Sequence, residues 1–382
     1  MDFSITEEQK SLRDNIIKFA QQELNGAVVM RDKAQTFSPT LWRKCADIGI
    51  QGLPAEEVYG GRQRDALSTA IALEALGYGC YDGGLVFSLC AHVLACIVPL
   101  TRHGNVDQKQ RYLPGLCDGA LIGALAMTEP GAGSDLLAIT TRAEPDGDGW
   151  RLNGVKTLIT NGAVSDVVIV FAITNPEKGL QGGMTAFIAE KGVPGFSTSH
   201  PFETLGLRTS TISELRFDHV WLPKIAVIGS VGAGFSVFTT AMDWERTLLA
   251  AGHVGTMQRL MEASIAYVRK RAQSGQMLGK FQAVSHKIAD MKVQLEAARL
   301  LTYQTAWRLD HHKTPSMDAS ITKLFASEAL VKTALDTVQI HGGYGFMTEY
   351  EVERALRDAV GSALYSGTSE IQRNMIARWL GI

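Results

Sequence analysis

Proline locks φ and carries no amide hydrogen, so a stretch without it can run as helix while a stretch punctuated by it cannot. Ten of the eleven prolines in this 382-residue chain fall at or before Pro223, and only Pro315 lies beyond. The last part of the chain is therefore predicted to form long, uninterrupted helices packed as a bundle. Within it Ile288, Met291, Leu295, Ala298 and Leu301 recur at three- and four-residue steps, one stripe of a helix whose default role is core packing.

The middle of the chain follows a different pattern. Asp166 to Ile173, Thr185 to Ala189 and Ile212 to Phe217 are short runs rich in Val, Ile and Phe, separated by Asn-Pro, Gly-Gly and Pro-Gly turns, which predicts strands of an antiparallel β domain. Ahead of them Thr6 is set to cap a helix with Gln9 at the reciprocal position, and Leu67 to Leu76 is periodic, so a first helical region is expected. The expected order is helical (1–122), β (123–229) and helical (230–382), with no internal repeat. The apolar run Gly83 to Leu100 contains Cys90, His92 and Cys96, where a lone His is expected to be a satisfied core residue.

Charge and cysteine usage remove several function classes. Acidic residues number 39 against 37 basic, a formal charge of -2, which gives no bulk attraction to nucleic acid or anionic membrane. The N-terminal residues have neither a basic n-region nor an apolar h-region, and no stretch is expected to supply the roughly 20 apolar residues of a membrane span. A cytoplasmic protein is the expectation. The five cysteines are odd in number and lack a CxxC pair, so buried thiols are expected rather than a disulfide framework or zinc site. His311 and His312 before Pro315 suit an exposed helix connection, since no third ligand stands at metal-binding spacing, and no metal is expected.

The stretch Ala126-Met127-Thr128-Glu129-Pro130-Gly131-Ala132-Gly133-Ser134-Asp135 carries the strongest functional signal. Two glycines one residue apart let the backbone approach a bulky polar ligand, Pro130 stiffens the entry, and Ser134 adds a hydroxyl beside free amides, as a phosphate nest requires. Lys156-Thr157-Leu158-Ile159-Thr160-Asn161-Gly162 follows closely, and Ile340-His341-Gly342-Gly343-Tyr344-Gly345 and Ser366-Gly367-Thr368-Ser369 lie far downstream. In order and spacing these motifs resemble the acyl-CoA dehydrogenase family, flavoenzymes that desaturate acyl thioesters, and the resemblance runs from Met1 to Ile382.

The resemblance implies a mainly α fold with a central β domain: an N-terminal helical domain, a middle antiparallel β domain and a C-terminal four-helix bundle. It implies FAD, with Met127, Thr128, Gly133 and Ser134 along the flavin and pyrophosphate, Thr160 near N5, and Thr368 and Glu370 also on the cofactor side. Leu158 stands where many members carry Trp or Phe, which removes an aromatic wall beside the flavin and alters access of solvent or oxygen. Arg271, Gln282, Gln339, Gly342 and Gly343 match residues that hold the adenosine and diphosphate end, commonly from a neighbouring subunit, in a homotetramer or dimer. The bland reading of Arg271 is a cation closing the C-terminus of a long helix, where positive charge is favoured anyway.

Removing hydrogen from the α and β carbons requires a base for the α proton and a hydride acceptor, and no side chain accepts hydride. Many family members carry Glu immediately before Gly-Thr-Ser, but this chain has Ser366 there. The isovaleryl-type branch carries its Glu in a segment resembling Met242-Asp243-Trp244-Glu245-Arg246, which makes Glu245 the implied base. Desolvation by acyl chain and flavin is expected to raise its pKa, and the backbone amide at Ser366 to polarise the thioester carbonyl. Ser134, Asp243, Arg246, Ser366 and Gly367 are expected on the substrate side. The bland reading of Glu245 is a solvated first-turn helix residue, and the rival function is a catalytically silent flavin-binding scaffold. CoA and carrier-protein thioesters, prolyl groups among the latter, both stay open, as do electron-transfer flavoprotein and oxygen as electron acceptors.

Overall fold

The computed structural model describes residues 4–311 and 315–382, so His312 and Lys313 of the expected helix connection lie outside the described residues. Helix α1 (Glu7–Glu23) opens with the expected capping box: the Gln9 amide donates to Thr6 Oγ1 at 3.2 Å and the Thr6 amide to Gln9 Oε1 at 3.0 Å. Helix α2 (Ala66–Gly79) is apolar almost all round and almost wholly buried, as a helix enclosed by others must be.

Helix α3 runs continuously over Gly83–His103, and its most apolar 18-residue window has a mean hydropathy of 2.1. This corrects the expectation that no segment is long and apolar enough to span a membrane. Of its most apolar window 83% is buried inside the protein, so the same composition here serves the core. His92 is the satisfied core residue expected: the Gly123 amide donates to Nδ1 at 2.8 Å, which leaves Nε2–H to donate to the Leu116 carbonyl at 2.9 Å. All five cysteines are free and buried.

The sheet contains β1 (Gly123–Ala126), β2 (Arg142–Asp146), β3 (Gly149–Thr160), β4 (Val167–Ile173), β5 (Met184–Glu190), β6 (Phe196–Thr198), β7 (Ile212–Pro223) and β8 (Val227–Ile228). Its order is β6-β7-β3-β2-β4-β5-β8, with β1 added along β4. Most pairs are antiparallel, but β1 runs parallel to β4 in the register Gly123 with Val167 through Ala126 with Val170. The whole β2–β3 hairpin intervenes between these two strands, so no tight turn dictates their relative direction.

The C-terminal region contains α4 (Gly234–Lys270), α5 (Gln282–Asp310) and α6 (Ser316–His341), followed by the short α7 (Val352–Ser362) and α8 (Ser369–Trp379). Met291, Leu295 and Ala298 of the expected stripe are buried against α4 and α6. Helix α4 also packs on α2 at backbone contact: a Cβ on Gly77 would lie 2.2 Å from the Gly252 carbonyl oxygen, and one on Gly255 would lie 2.0 Å from that of Glu74. This approach fixes the middle of α4 against the N-terminal helices. Glu245 lies there, about three turns in, and not in a first turn as the bland reading required.

Candidate active site

The glycine-rich loop is anchored by a charge pair inside the β region. Lys156 on β3 donates to Glu129 Oε1 at 2.9 Å and to the Met127 carbonyl at 2.8 Å. The side chains of Lys156 and Glu129 are 0% and 3% exposed. Glu129 also accepts from the amides of Thr140 and Thr141 and from the Thr140 hydroxyl. Burial alone would raise the Glu129 carboxyl, but Lys156 and these hydrogen bonds outweigh it and hold it down at about 2. Burial pulls Lys156 down to about 8 against the pull of Glu129. Removing either partner would leave an uncompensated charge in the interior, so the pair ties loop and strand together. Sequence reasoning missed Glu129 and gave Lys156 no role. The available signal was a lysine at an inward position of a strand otherwise filled by Leu152 and Ile159.

Met127 is buried under this loop, whereas Gly131, Gly133 and Ser134 are exposed. A Cβ built on Gly131 or Gly133 would meet nothing within 4 Å, so no protein packing requires glycine there. Open space over bare backbone beside a hydroxyl is what a diphosphate needs. Leu158 sits on a bulge of β3 at φ 57° with its side chain 62% exposed, a strained backbone presenting an apolar group outward. Thr160, two residues on, is half-buried, and Asn161 at φ 64° turns the chain. The Asn161 amide group donates to the carbonyls of Ser88 and Gly123, pinning the end of β3 to α3.

The second group of expected cofactor residues gathers around a separate cavity of about 720 Å³ lined by Tyr267, Arg271, Gln339, Gly342 and Gly343. The Arg271 guanidinium lies 5.5 Å from the centre of the Tyr344 ring, while its backbone amide closes α4 on the Tyr267 carbonyl. Arg271 thus stands at the end of α4 and also in the wall of this cavity. Gln282 does not line this cavity; it is the exposed first residue of α5, next to Ala283, which does. A Cβ on Gly342 or Gly343 would again meet open space.

Glu245 and Ser366, 121 residues apart, meet: the Ser366 hydroxyl donates to Glu245 Oε1 at 2.6 Å. Burial pushes the Glu245 carboxyl up from its ordinary value, while the Ser366 hydrogen bond and the charges of Arg246 and Lys323 oppose the rise. Ser366 is itself held at φ 55°. Its carbonyl accepts from Arg246 Nε at 3.1 Å and from Gln372 Nε2 at 3.1 Å, and Gln372 also reaches the Gly367 carbonyl at 2.9 Å. Asp243 accepts from the Ser316 hydroxyl through one carboxylate oxygen, and its other oxygen is buried without a partner. Thr368 caps α8 by accepting from the Ile371 amide, and Glu370 is exposed in the first turn of that helix.

A cavity of about 460 Å³ is lined by Cys90, Tyr365 and Leu249, the last one turn along α4 from Glu245, and runs past His253 toward Arg259 and Tyr350; Glu245 and Ser366 are not in its wall. Burial pushes the Cys90 thiol up to about 12, with the Glu245 charge adding to it, so the cysteine is an inert wall. Among the described residues no cluster of His, Cys, Asp and Glu could hold a metal ion.

Three family models match the chain: the acyl-CoA dehydrogenase N-terminal domain over residues 6–120, the middle domain over 124–220 and the C-terminal domain over 232–381. The chain belongs to the acyl-CoA dehydrogenase family. It is an FAD-dependent oxidoreductase acting on the CH–CH bond of a thioester-bound acyl group. An L-prolyl-[peptidyl-carrier protein] dehydrogenase from a Serratia species is 39% identical, covering 100% of this chain and 99% of that protein. A mitochondrial 2-methylacyl-CoA dehydrogenase of Solanum tuberosum is 40% identical over 97% of this chain and 90% of its own. The crystal structure of the prolyl acyl carrier protein oxidase AnaB matches with a TM-score of 0.97 and 43% identity, covering 99% of this chain and 100% of that one. PigA with FAD and proline matches with a TM-score of 0.97 and 39% identity, covering 100% and 99%.

Proposed function

We propose that Glu245 takes the α proton of a prolyl group tethered as a thioester to a carrier protein, leaving an α,β-unsaturated acyl product. The single observation that carries Glu245 as base is its 2.6 Å hydrogen bond with Ser366. The carboxylate from α4 reaches the position where many relatives carry Glu before Gly-Thr-Ser, and Ser366 leaves that space to it. Burial suits the carboxyl to a weak carbon acid, because a base with a raised pKa drives proton transfer further. Arg246 and Gln372 hold the Ser366 carbonyl, which anchors the backbone immediately after the Ser366 amide that would meet the thioester oxygen. The exposed Ser134 and the half-free carboxylate of Asp243 suit the pantetheine arm.

FAD, when bound, supplies the hydride acceptor for the β hydrogen. Met127, Thr128, Gly133, Ser134, Leu158 and Thr160 would hold its flavin and diphosphate, with Thr368 and Glu370 on the same side. Arg271, Gln339, Gly342 and Gly343 would close on the far end of the cofactor of a neighbouring copy, in a homotetramer or dimer. The lack of any role for Gln282 within the second cavity leaves its contribution to such a contact between copies. The domain limits we assign are 1–122, 123–229 and 230–382. The end-to-end likeness to carrier-protein dehydrogenases favours a carrier over free CoA. A branched acyl-CoA is the second reading, favoured by the Solanum relative. An oxidase relative favours oxygen as acceptor, and the structural neighbour described with the electron transferring flavoprotein of Acidaminococcus fermentans favours electron-transfer flavoprotein.

The test is anaerobic incubation of the holoenzyme with prolyl, isovaleryl and 2-methylbutanoyl thioesters, each on CoA and on a carrier protein. Flavin bleaching is expected with carrier-bound prolyl. Faster bleaching by an acyl-CoA overturns the substrate assignment, and no bleaching with any thioester favours the silent scaffold.

A further inference from the structure

The cavity of about 460 Å³ changes character along its length. Phe87, Cys90 and Leu249 close its inner end, and all three are buried apolar groups. Tyr81 and Tyr350 at the other end are 41% and 45% exposed and form its mouth. Arg259 stands at that mouth, with its guanidinium carbon 4.6 Å from the centre of the Tyr81 ring. Among the described residues this ring is its one partner, since no carboxylate or carbonyl accepts a hydrogen bond from it. Nε is enclosed without an acceptor. The two terminal nitrogens also lack an acceptor, but they are not enclosed, and the side chain lines the cavity.

The other charged and hydroxyl groups of the inner wall are provided for. Arg354 donates to Glu351 at 2.6 Å, Thr256 to the Gly77 and Gly252 carbonyls at 3.3 and 3.1 Å, and Asp358 accepts from the Leu207 amide at 2.6 Å. The Tyr365 hydroxyl lies 2.9 Å from His253 Nε2. Asp358 attracts Arg259 without touching it, but burial pushes its carboxyl up to about 7, so near neutral pH it is a partial counter-ion. Burial, with Arg354 adding to it, works against the Arg259 charge, yet a guanidinium stays protonated in a protein. A carboxylate answers both demands. It neutralises the charge and offers two coplanar oxygens to the N–H edge that the ring contact leaves free.

The rest of the cavity defines what that carboxylate is attached to. Leu249, His253, Thr256 and Arg259 follow one another at three- and four-residue steps, so they share one face of α4. From Arg259 back to Leu249 is about 15 Å of helix rise, and an extended chain advances roughly 1.2 Å per bond. An unbranched tail of roughly ten carbons therefore runs from the guanidinium to the apolar inner end.

We propose that this cavity is a second ligand site, separate from the thioester site, which takes a medium-chain monocarboxylate with its head on Arg259 and its alkyl tail along α4 toward Leu249. Glu245 and Ser366 lie outside the wall, so the bound acid undergoes no reaction. The site stands or falls independently of the prolyl reading.

The test is calorimetric titration of the FAD-replete parent, Arg259→Met and Arg259→Lys enzymes with decanoate and with 1-decanol. The parent is expected to bind one decanoate per subunit at least about tenfold more tightly than decanol, because without a cation burial of the anion would favour the alcohol. Met keeps the apolar stem and removes every donor, so Arg259→Met is expected to weaken decanoate roughly 10- to 100-fold and to leave decanol nearly unchanged. Arg259→Lys, which keeps the charge and loses the planar fork, is expected to regain part of the loss. No saturable decanoate binding to the parent, decanol bound as tightly as decanoate, or an equal decanoate Kd in the parent and Arg259→Met overturns the proposal. If Arg259→Met does not retain FAD, Ala263→Phe decides the matter, since Ala263 is an exposed residue of the same wall one turn beyond Arg259. Loss of decanoate binding in Ala263→Phe upholds the site, and an unchanged Kd overturns it.

Discussion

Replacing Ser366 with Ala should move the pH dependence of flavin reduction, and the structure sets both direction and size. The Ser366 hydroxyl donates to Glu245 at 2.6 Å, within the range for a charge-assisted O–H to carboxylate bond. Such bonds contribute about 1.5–3 kcal/mol, and one pH unit corresponds to about 1.36 kcal/mol. Because the bond favours the ionised carboxylate, its loss raises the pKa of Glu245, already pushed up by burial, by roughly 1–2 units. Proton abstraction needs the carboxylate, so the acid limb of the rate profile should shift to higher pH by that amount. The rate well above the limb should change far less. Stopped-flow bleaching of the parent and Ser366→Ala holoenzymes with one substrate, across the pH range both tolerate, measures the shift. A limb that stays in place, or moves to lower pH, would refute a role for Ser366 in holding the base.

Three further outcomes follow from the same geometry. Glu245 has a raised pKa in the folded state, so its contribution to stability is fully present below the unfolded value and is lost as pH rises through the folded one. Glu245→Gln should therefore be more stable than the parent by about 1–3 kcal/mol at neutral pH, with the gap closing toward acid; denaturant titrations at several pH values check this. Lys156→Met strands a buried Glu129 and should cost about 3–5 kcal/mol and weaken FAD retention, with Lys156→Met/Glu129→Gln recovering much of the loss in the same titration. Leu158→Trp restores an aromatic group at an exposed, outward position and should slow reoxidation of the reduced flavin by oxygen several-fold; an unchanged oxygen rate would detach Leu158 from the flavin.

What was legible in the sequence was local. Proline distribution forecast the long helices because the constraint acts on each residue's own backbone, and Thr6 with Gln9 announced α1 because a capping box is complete within four residues. The glycine motifs were expected to bare backbone toward a ligand, and the space over Gly131, Gly133, Gly342 and Gly343 is open. Where α4 begins was not legible, since no side chain caps its N-terminus, and Glu245 could pass for a first-turn residue. The parallel pairing of β1 with β4 and the pairing of Lys156 with Glu129 depend on how the chain returns on itself, which no local pattern encodes. His253 and Tyr365, 112 residues apart, meet only in the folded molecule. The Gly83–His103 segment shows the reverse limit, because its composition suits a bilayer and a protein interior equally, and only the surrounding helices decide.

The central claim is that Glu245 is the base, and the most direct measurement is the rate of flavin reduction in the Glu245→Gln holoenzyme under single-turnover conditions. Gln keeps the shape and can still accept from Ser366, so fold and FAD content should match the parent. Loss of a general base lowers the rate on the order of 10²- to 10⁴-fold, and a carbon acid this weak should fall at the upper end. A folded, flavin-replete Glu245→Gln enzyme that bleaches with substrate at the parental rate would contradict the account.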